Sequence, residues 1–190
     1  MIMLHGLGDS LEGFRWLPEA LNQPSLNYLL VNAPDPYYGG YSWYEFGGDM
    51  IPGVIRSRKL LFTLFEHQLA KGFPTEQTIL GGFSQGCLMS IDAGLRYPHR
   101  FAGIVGVSGY VCAPEQLIEE LSPVALEQRL LITHGLFDPM IPFAQVREQI
   151  NLLKSAGLHI DWHEFPKAHN IAGELELAVI RDFIAAGFAG

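Results

Sequence analysis

The chain alternates between short aliphatic runs and longer segments in which apolar residues recur at helical spacing. The short runs are rich in β-branched and aliphatic residues and predict strands at residues 1–4, 27–31, 78–81, 103–107, 130–133 and 159–165. The longer segments predict helices at residues 54–70, 86–97, 143–155 and 172–186. Such an alternation favours an α/β fold, with a mostly parallel sheet covered by helices on both faces.

The last predicted helix has a broad apolar face, which is expected to pack on the sheet. The residues of this face are Leu175, Leu177, Ala178, Ile180, Phe183 and Ile184. No Ser/Gly-rich linker, block of charge or low-complexity segment interrupts the chain. With 190 residues, the chain has a length that suits one domain, so residues 1–190 are predicted to form a single domain.

Composition narrows the classes of partner. The net charge of -8 and the absence of any basic cluster argue against nucleic acid. No apolar run approaches the roughly eighteen residues that would indicate a transmembrane helix, so no stable membrane insertion is expected. The first residues lack the basic and apolar regions of an export signal, which favours the cytoplasm. Cys87 and Cys112 form no CxxC pair and are expected to be reduced thiols.

A G-x-S-x-G pattern lies between a predicted strand and a predicted helix, at Gly82, Ser84 and Gly86. This is the context of a nucleophile elbow, a strained turn that exposes a serine hydroxyl and needs small residues on both sides. The turn would direct the backbone N–H of Gln85 towards the oxyanion of a tetrahedral intermediate. An ordinary strand-to-helix turn that happens to contain a serine is the structural alternative.

A serine becomes nucleophilic when a histidine accepts its proton and a carboxylate orients that histidine. In this fold the chain order should be Ser, then Asp or Glu, then His. Asp138 lies on the loop after the strand predicted at residues 130–133 and is the candidate acid, unless it is only a turn former ahead of Pro139. His169 is the candidate base because it follows Asp138 on the loop before the last helix. An exposed loop histidine is the alternative reading.

The second oxyanion donor should come from the loop after the first predicted strand. There the backbone N–H of Leu7 is bracketed by Gly6 and Gly8, which would let a ligand approach the backbone closely. The same segment is also explained as a glycine-rich turn without chemical consequence.

Residues 34–50 concentrate aromatic and glycine residues, and neither a helix nor a strand suits them well. The aromatic residues are Tyr37, Tyr38, Tyr41, Trp43, Tyr44 and Phe46. They could form a mobile wall that buries an acyl or alkyl group beside Ser84, or a long loop that packs its own side chains. The sequence leaves both open.

Together these blocks resemble the acyl-protein thioesterase and phospholipase/carboxylesterase family of serine α/β-hydrolases. The resembling segments are residues 4–9, 42–44, 81–86, 108–110, 134–142 and 168–171. The resemblance implies a triad of Ser84, Asp138 and His169, and oxyanion donors at Leu7 and Gln85. It also implies substrate contacts at Trp43 and Tyr44, neither a metal nor an organic cofactor, and hydrolysis of carboxylic esters or thioesters in small or acylated substrates. A monomer and a homodimer both stay open.

The chain departs from the family pattern at four places. Cys87 and Ala168 each replace a glycine that is usual in the family, which would alter packing near the elbow and the loop of the base. Only residues 1–4 represent the chain ahead of the first loop, so an edge strand is expected to be missing at the N-terminus or the natural start to differ. The segment from Trp43 to Val54 is shorter than in members with a long lid, so a preference for long acyl chains does not carry over.

The sequence patterns that could indicate a metal site or a dinucleotide-binding site are weaker than the G-x-S-x-G pattern. His159, Asp161 and His163 alternate on a predicted strand, where a polar outer face explains them better than a metal site. A dinucleotide-binding glycine pattern fails after Gly8, because the third glycine is misplaced. A non-catalytic acyl-binding or interaction module on the same fold remains the second function class.

Overall fold

The computed structural model describes residues 1–188, which contain eight strands. Their bounds are β1 Ile2–Leu4, β2 Leu29–Val31, β3 Asp35–Tyr37, β4 Gly40–Ser42, β5 Ile79–Phe83, β6 Gly103–Val107, β7 Arg129–Gly135 and β8 His159–Phe165. Six of them form a parallel sheet in the order β2-β1-β5-β6-β7-β8. Strands β3 and β4 form a separate antiparallel hairpin.

Helices cover both faces of this sheet. Their bounds are α1 Leu17–Leu21, α2 Ile51–Ala70, α3 Gln85–Arg96, α4 Pro114–Glu119, α5 Phe143–Ser155 and α6 Glu174–Gly187. Core residues of α2, α3, α4 and α5 pack in one hydrophobic cluster, and those of α1 and α6 pack in another.

The two clusters meet the sheet through alternate residues of each strand. Ile104 and Val105 are neighbours on β6, yet Ile104 belongs to the cluster with α3 and Val105 to the cluster with α6. Successive side chains of a strand point to opposite faces, so a strand covered on both sides must be apolar at every position. This explains the short continuous aliphatic runs of the sequence and confirms the predicted α/β fold.

All of the predicted strands and helices are present, most of them with shifts at their ends. Helix α5 and strands β6 and β8 have the predicted bounds. The sequence analysis missed α1 and α4, which are too short to show helical periodicity, and also the hairpin of β3 and β4. The prediction that a strand suits residues 34–50 badly was therefore wrong at residues 35–37 and 40–42.

The buried face of α6 differs from the predicted one. Leu175 is 70% exposed, whereas the neighbouring Glu176 is fully buried. The inward face is completed by Leu177, Ile180, Phe183 and Ile184. A rotation of about 100° per residue separates adjacent helical positions, so burying Glu176 turns Leu175 towards solvent.

The strand order changes direction between β1 and β5. From β1 the chain moves outward to the edge strand β2, and it later returns to the other side of β1 as β5. In parallel sheets, ligands bind outside the carboxyl ends of the strands at such a point. The predicted donor Leu7 follows β1 and the predicted nucleophile Ser84 follows β5. Among residues 1–188, no helix is long and apolar enough to cross a membrane.

Candidate active site

Ser84 occupies a sharp turn between β5 and α3. Its backbone has φ 55° and ψ -116°, a strained conformation for any residue other than glycine. A Cβ atom at Gly82 would lie 2.0 Å from the carbonyl oxygen of Gly86, and a Cβ at Gly86 would lie 2.1 Å from the carbonyl oxygen of Leu4. Both positions therefore require glycine, for the steric reason expected of a nucleophile elbow.

His169 reaches Ser84 from the loop between β8 and α6. Its Nε2 atom lies 2.9 Å from Ser84 Oγ, although the two residues are 85 positions apart in the chain. The imidazole ring lies 5.1 Å from the ring of Phe83, which limits its movement on one side. The histidine is placed to accept the serine proton.

Asp138 holds the other side of the imidazole. Its Oδ2 atom lies 2.7 Å from His169 Nδ1, and its Oδ1 atom accepts hydrogen bonds of 2.9 Å from the N–H groups of Met140 and Ile141. Burial alone would raise the pKa of Asp138, but these hydrogen bonds outweigh it and hold the pKa below its ordinary value. Because an ionised carboxylate only accepts hydrogen bonds, we assign the proton to Nδ1, which leaves Nε2 free to accept one from Ser84.

His134 is the nearest competing histidine, but it is oriented elsewhere. Its Nε2 atom lies 3.0 Å from the carbonyl oxygen of Ile141 and 3.7 Å from Asp138 Oδ2. The ring is fully buried, and burial lowers its pKa. His134 therefore supports the loop that carries Asp138 and makes no contact with Ser84.

The two predicted oxyanion amides belong to segments next to the serine, because Gln85 follows it directly and Leu7 lies on the loop after β1. A Cβ atom at Gly6 would lie 3.2 Å from Ser84 Cβ, so the loop after β1 runs directly beside the nucleophile. Within residues 1–188, neither the Leu7 N–H nor the Gln85 N–H donates a hydrogen bond to the chain. Two free amides at this position can stabilise a developing oxyanion.

His5 fixes the loop that carries Leu7, a role that the sequence analysis missed. Its Nε2 atom accepts a hydrogen bond of 3.0 Å from the Ala33 N–H, so Nδ1 carries the proton and donates to the Gly6 carbonyl oxygen at 2.7 Å. Burial lowers the pKa of His5 and favours this neutral form. In the sequence, the signal for this role of His5 is the His-Gly pair at the start of the loop.

Trp43 and Tyr44 do not line an open surface, in contrast to the substrate contacts that the resemblance implies. Both side chains are only 2% exposed. The side chain of Gln85 accepts a hydrogen bond from the Trp43 N–H at 2.9 Å and donates one to the Tyr44 carbonyl oxygen at 3.1 Å. The Trp43 indole donates to the His5 carbonyl oxygen at 2.9 Å. These two aromatic residues thus connect α3 to the loop that carries Leu7.

A buried ion pair lies beside the loop of His169. Lys167 Nζ donates to Glu176 Oε1 at 2.5 Å, and both side chains are almost fully buried. Glu176 also accepts hydrogen bonds from the Thr133 hydroxyl and, at 2.6 Å, from the Ala172 N–H. Burial lowers the pKa of Lys167, although Glu176 opposes that effect. This pair was not predicted from the sequence, where its one signal is a glutamate among the apolar residues of the last helix.

Cys87 lies behind the elbow, in the core. Its side chain is fully buried, and burial raises the pKa of its thiol to about 12. Cβ atoms at Gly106 and Gly109 would lie 2.6 Å and 2.5 Å from its sulfur, so these glycines make room for it. A protonated, inaccessible thiol is unsuited to nucleophilic attack.

Comparison with known proteins identifies the relatives of this arrangement. A profile of the phospholipase/carboxylesterase family matches residues 1–187. The chain belongs to this family. It is 36% identical over 155 residues to acyl-protein thioesterase 1 of Schizosaccharomyces pombe, covering 75% of this chain and 69% of that protein. It is 31% identical over 206 residues to acyl-protein thioesterase 1 of Debaryomyces hansenii, covering 97% of this chain and 89% of that protein.

Several solved structures have the same fold as this chain. The structure of Arabidopsis thaliana SOBER1 superposes with a TM-score of 0.90 at 24% identity, covering 98% of this chain and 97% of that one. The structure of esterase PE8 gives a TM-score of 0.86 at 26% identity, covering 97% and 90%. The fold is the α/β-hydrolase fold, and the relatives support an esterase or thioesterase enzyme.

Proposed function

We propose that the chain hydrolyses carboxylic esters or thioesters through a triad of Ser84, His169 and Asp138 and a covalent acyl-enzyme. The contact of 2.9 Å between His169 Nε2 and Ser84 Oγ carries this proposal. In an ordinary turn nothing would bring a histidine and a buried carboxylate into line with a strained serine. The family membership supports the same class of reaction.

In the first half of the reaction, Ser84 Oγ attacks the substrate carbonyl carbon while its proton moves to His169 Nε2. Asp138 stabilises the imidazolium that forms and keeps its Nδ1 proton in place. The carbonyl oxygen becomes an oxyanion and accepts hydrogen bonds from the Leu7 and Gln85 amides. When the tetrahedral intermediate collapses, His169 protonates the departing alcohol or thiol, and the acyl group stays on Ser84.

In the second half, water replaces the leaving group. His169 removes a proton from this water, and the resulting hydroxide attacks the acyl carbonyl carbon. The same two amides stabilise the second oxyanion. Collapse of this intermediate releases the carboxylic acid and returns the proton from His169 to Ser84, which restores the starting state of the site.

The acyl substrate class is supported by the relatives and by the surface next to Asp138. The loop that carries Asp138 exposes the large apolar side chains of Leu136, Phe137 and Met140, which are 41%, 69% and 64% exposed. Exposed apolar groups beside a reaction centre are typical of sites that take apolar substrates. We propose acylated small molecules or acylated proteins as substrates, in line with the names of the relatives.

The experiment is hydrolysis of a chain-length series of p-nitrophenyl esters and of the matching acyl thioesters. We expect wild-type turnover on both, and a loss of at least about a thousandfold in kcat/KM for Ser84→Ala. Ser108→Ala is the matched control, because Ser108 also has a positive φ after a strand but its buried hydroxyl has no partner within residues 1–188. Equal activity of Ser84→Ala and wild type would refute the proposal.

A further inference from the structure

A groove of about 400 Å³ opens beside His169, on the face of the sheet that carries α1 and α6. Its lining is mostly apolar and contains Phe14, Trp16, Phe83, Ile171 and Leu177. The imidazole of His169 belongs to the same lining.

Phe83 joins the groove to the reacting atoms. It directly precedes Ser84, and a Cβ atom at Gly6 would lie 3.1 Å from its ring. The Phe83 ring therefore lies between the loop after β1 and the ring of His169, which is 5.1 Å away. A substrate bound at Ser84 would extend one of its two halves into this space.

The proton transfers decide which half of the substrate enters the groove. The leaving alcohol or thiol must receive its proton from His169 Nε2, so its oxygen or sulfur lies against that ring. The acyl carbonyl oxygen is held at the Leu7 and Gln85 amides, and the rest of the acyl group points away from the base. We propose that this groove is the subsite for the leaving group, an inference that rests on the proposed function.

The charge of the groove limits the chemistry of that leaving group. Asp9 belongs to its lining, and its Oδ1 atom accepts a hydrogen bond of 2.7 Å from the Ser10 N–H. Among residues 1–188, no lysine or arginine lines the groove. The chain carries a net charge of -8. A phosphorylated leaving group would meet repulsion without a compensating cation, so the subsite fits an apolar, non-anionic alcohol or thiol.

The first test uses four butanoyl thioesters that share one acyl group. S-phenyl and S-methyl thioesters differ in apolar area, and N-acetylcysteamine and coenzyme A thioesters have matching thiols but differ in charge. We expect Trp16→Ala to lower kcat/KM for the S-phenyl ester about fivefold and to leave the S-methyl ester within about twofold of wild type. Wild type should prefer N-acetylcysteamine to coenzyme A, by a factor that shrinks as salt is added.

Two controls test whether the effect of Trp16→Ala arises from the leaving group in the groove. Phe73→Ala removes a similarly exposed aromatic side chain, 50% exposed against 42% for Trp16, from outside the groove. It should change neither the ratio of kcat/KM for the S-phenyl and S-methyl thioesters nor the ratio for the N-acetylcysteamine and coenzyme A thioesters. The deacylation rate of the butanoyl-enzyme should be the same in Trp16→Ala and wild type, because the leaving group has already departed. The preference for acyl chain length at a fixed alcohol should also stay the same.

The inference is overturned by three results: a changed acyl-length preference in Trp16→Ala, equal losses on the S-phenyl and S-methyl esters, or a wild-type preference for coenzyme A. Failure of the proposed function would look different. In that case wild type would hydrolyse none of the four thioesters faster than Ser84→Ala does, whatever the leaving group.

Discussion

The ammonium of Lys167 lies 2.5 Å from the carboxylate of Glu176, and together they connect the loop of His169 to helix α6. Lys167 precedes His169 by two residues and Ala172 follows it by three, and Glu176 binds both. The same carboxylate accepts a hydrogen bond from Thr133 on β7, the strand that leads to Asp138. One buried carboxylate therefore holds both ends of the loop of the candidate base.

We expect Glu176→Gln to lower the free energy of unfolding by about 3 kcal/mol. The amide keeps an oxygen for Thr133 or Ala172 but leaves the Lys167 ammonium buried without its counterion. Glu174→Gln is the control, because Glu174 lies on the same helix and pairs with Arg181 but is 74% exposed. Urea unfolding should show a change within about 0.5 kcal/mol for that variant. Equal stability of Glu176→Gln and wild type would contradict the account of this pair.

We expect Asp138→Asn to leave the protein folded but to lower kcat/KM by up to about four orders of magnitude. The amide oxygen can still accept from the Met140 and Ile141 amides, whereas its NH₂ group would face His169 Nδ1 and favour the tautomer with the proton on Nε2. That tautomer cannot accept the Ser84 proton.

Asp161→Asn is the matched control for this change. Asp161 also contacts a histidine, with 3.0 Å between its Oδ1 and His163 Nε2, but this pair lies on the outer face of β8. Circular dichroism should show both variants folded, and ester hydrolysis should be lost only in Asp138→Asn. Near-normal turnover of that variant would exclude Asp138 as the orienting acid.

Local patterns predicted those parts of the fold and site that depend on sequence neighbours. Helix α5 shows a helical period over thirteen residues, and its bounds were predicted correctly. The elbow requires glycines two positions before and after Ser84, so a short motif suffices to indicate it. Asp138 and His169 were selected by chain order and loop position, and the structure brings His169 to Ser84 and Asp138 to His169.

Contacts between distant residues explain what the sequence analysis missed. Trp43 is buried because its amide and indole bond to Gln85 and His5, which are 42 and 38 positions away. Glu176 can be buried only because Lys167 and Thr133 reach it from other elements. Such pairs leave no periodic trace, and an aromatic loop or an apolar helix face looks the same without them.

We expect both thiols of the native protein to resist a disulfide reagent at pH 8. Burial raises the pKa of Cys87 to about 12 and also raises that of Cys112, so neither thiol ionises appreciably at that pH. Titration should detect almost no reactive thiol in native protein and two in guanidinium, and Cys87→Ala should retain activity. Rapid inactivation of native wild type by the reagent would contradict a buried, inert Cys87.

We expect stability to fall as the pH is lowered from about 7 to 5. Burial lowers the pKa of His5 and His134 in the folded state, so below about pH 6.5 the unfolded chain takes up protons that the folded chain does not. Each ring then contributes a loss of up to about 1.4 kcal/mol per pH unit.

The measurement is urea unfolding at several pH values, with His134→Gln as the test variant. Its glutamine can still donate to the Ile141 carbonyl oxygen, so the variant should fold but show a shallower loss between pH 7 and 5. Between pH 7 and 8 variant and wild type should have the same slope, because the His134 ring is almost uncharged there in both the folded and the unfolded chain. The same slope in variant and wild type would exclude His134 as a source of the acid sensitivity.

The most direct measurement for the central claim is mass analysis of protein treated with a fluorophosphonate, which reacts with activated serine hydroxyls. We predict one adduct per wild-type chain, located on Ser84 by peptide sequencing, and none on the Ser84→Ala or unfolded protein. An adduct on another residue, or a native wild-type protein that stays unlabelled, would contradict a serine hydrolase that works through Ser84.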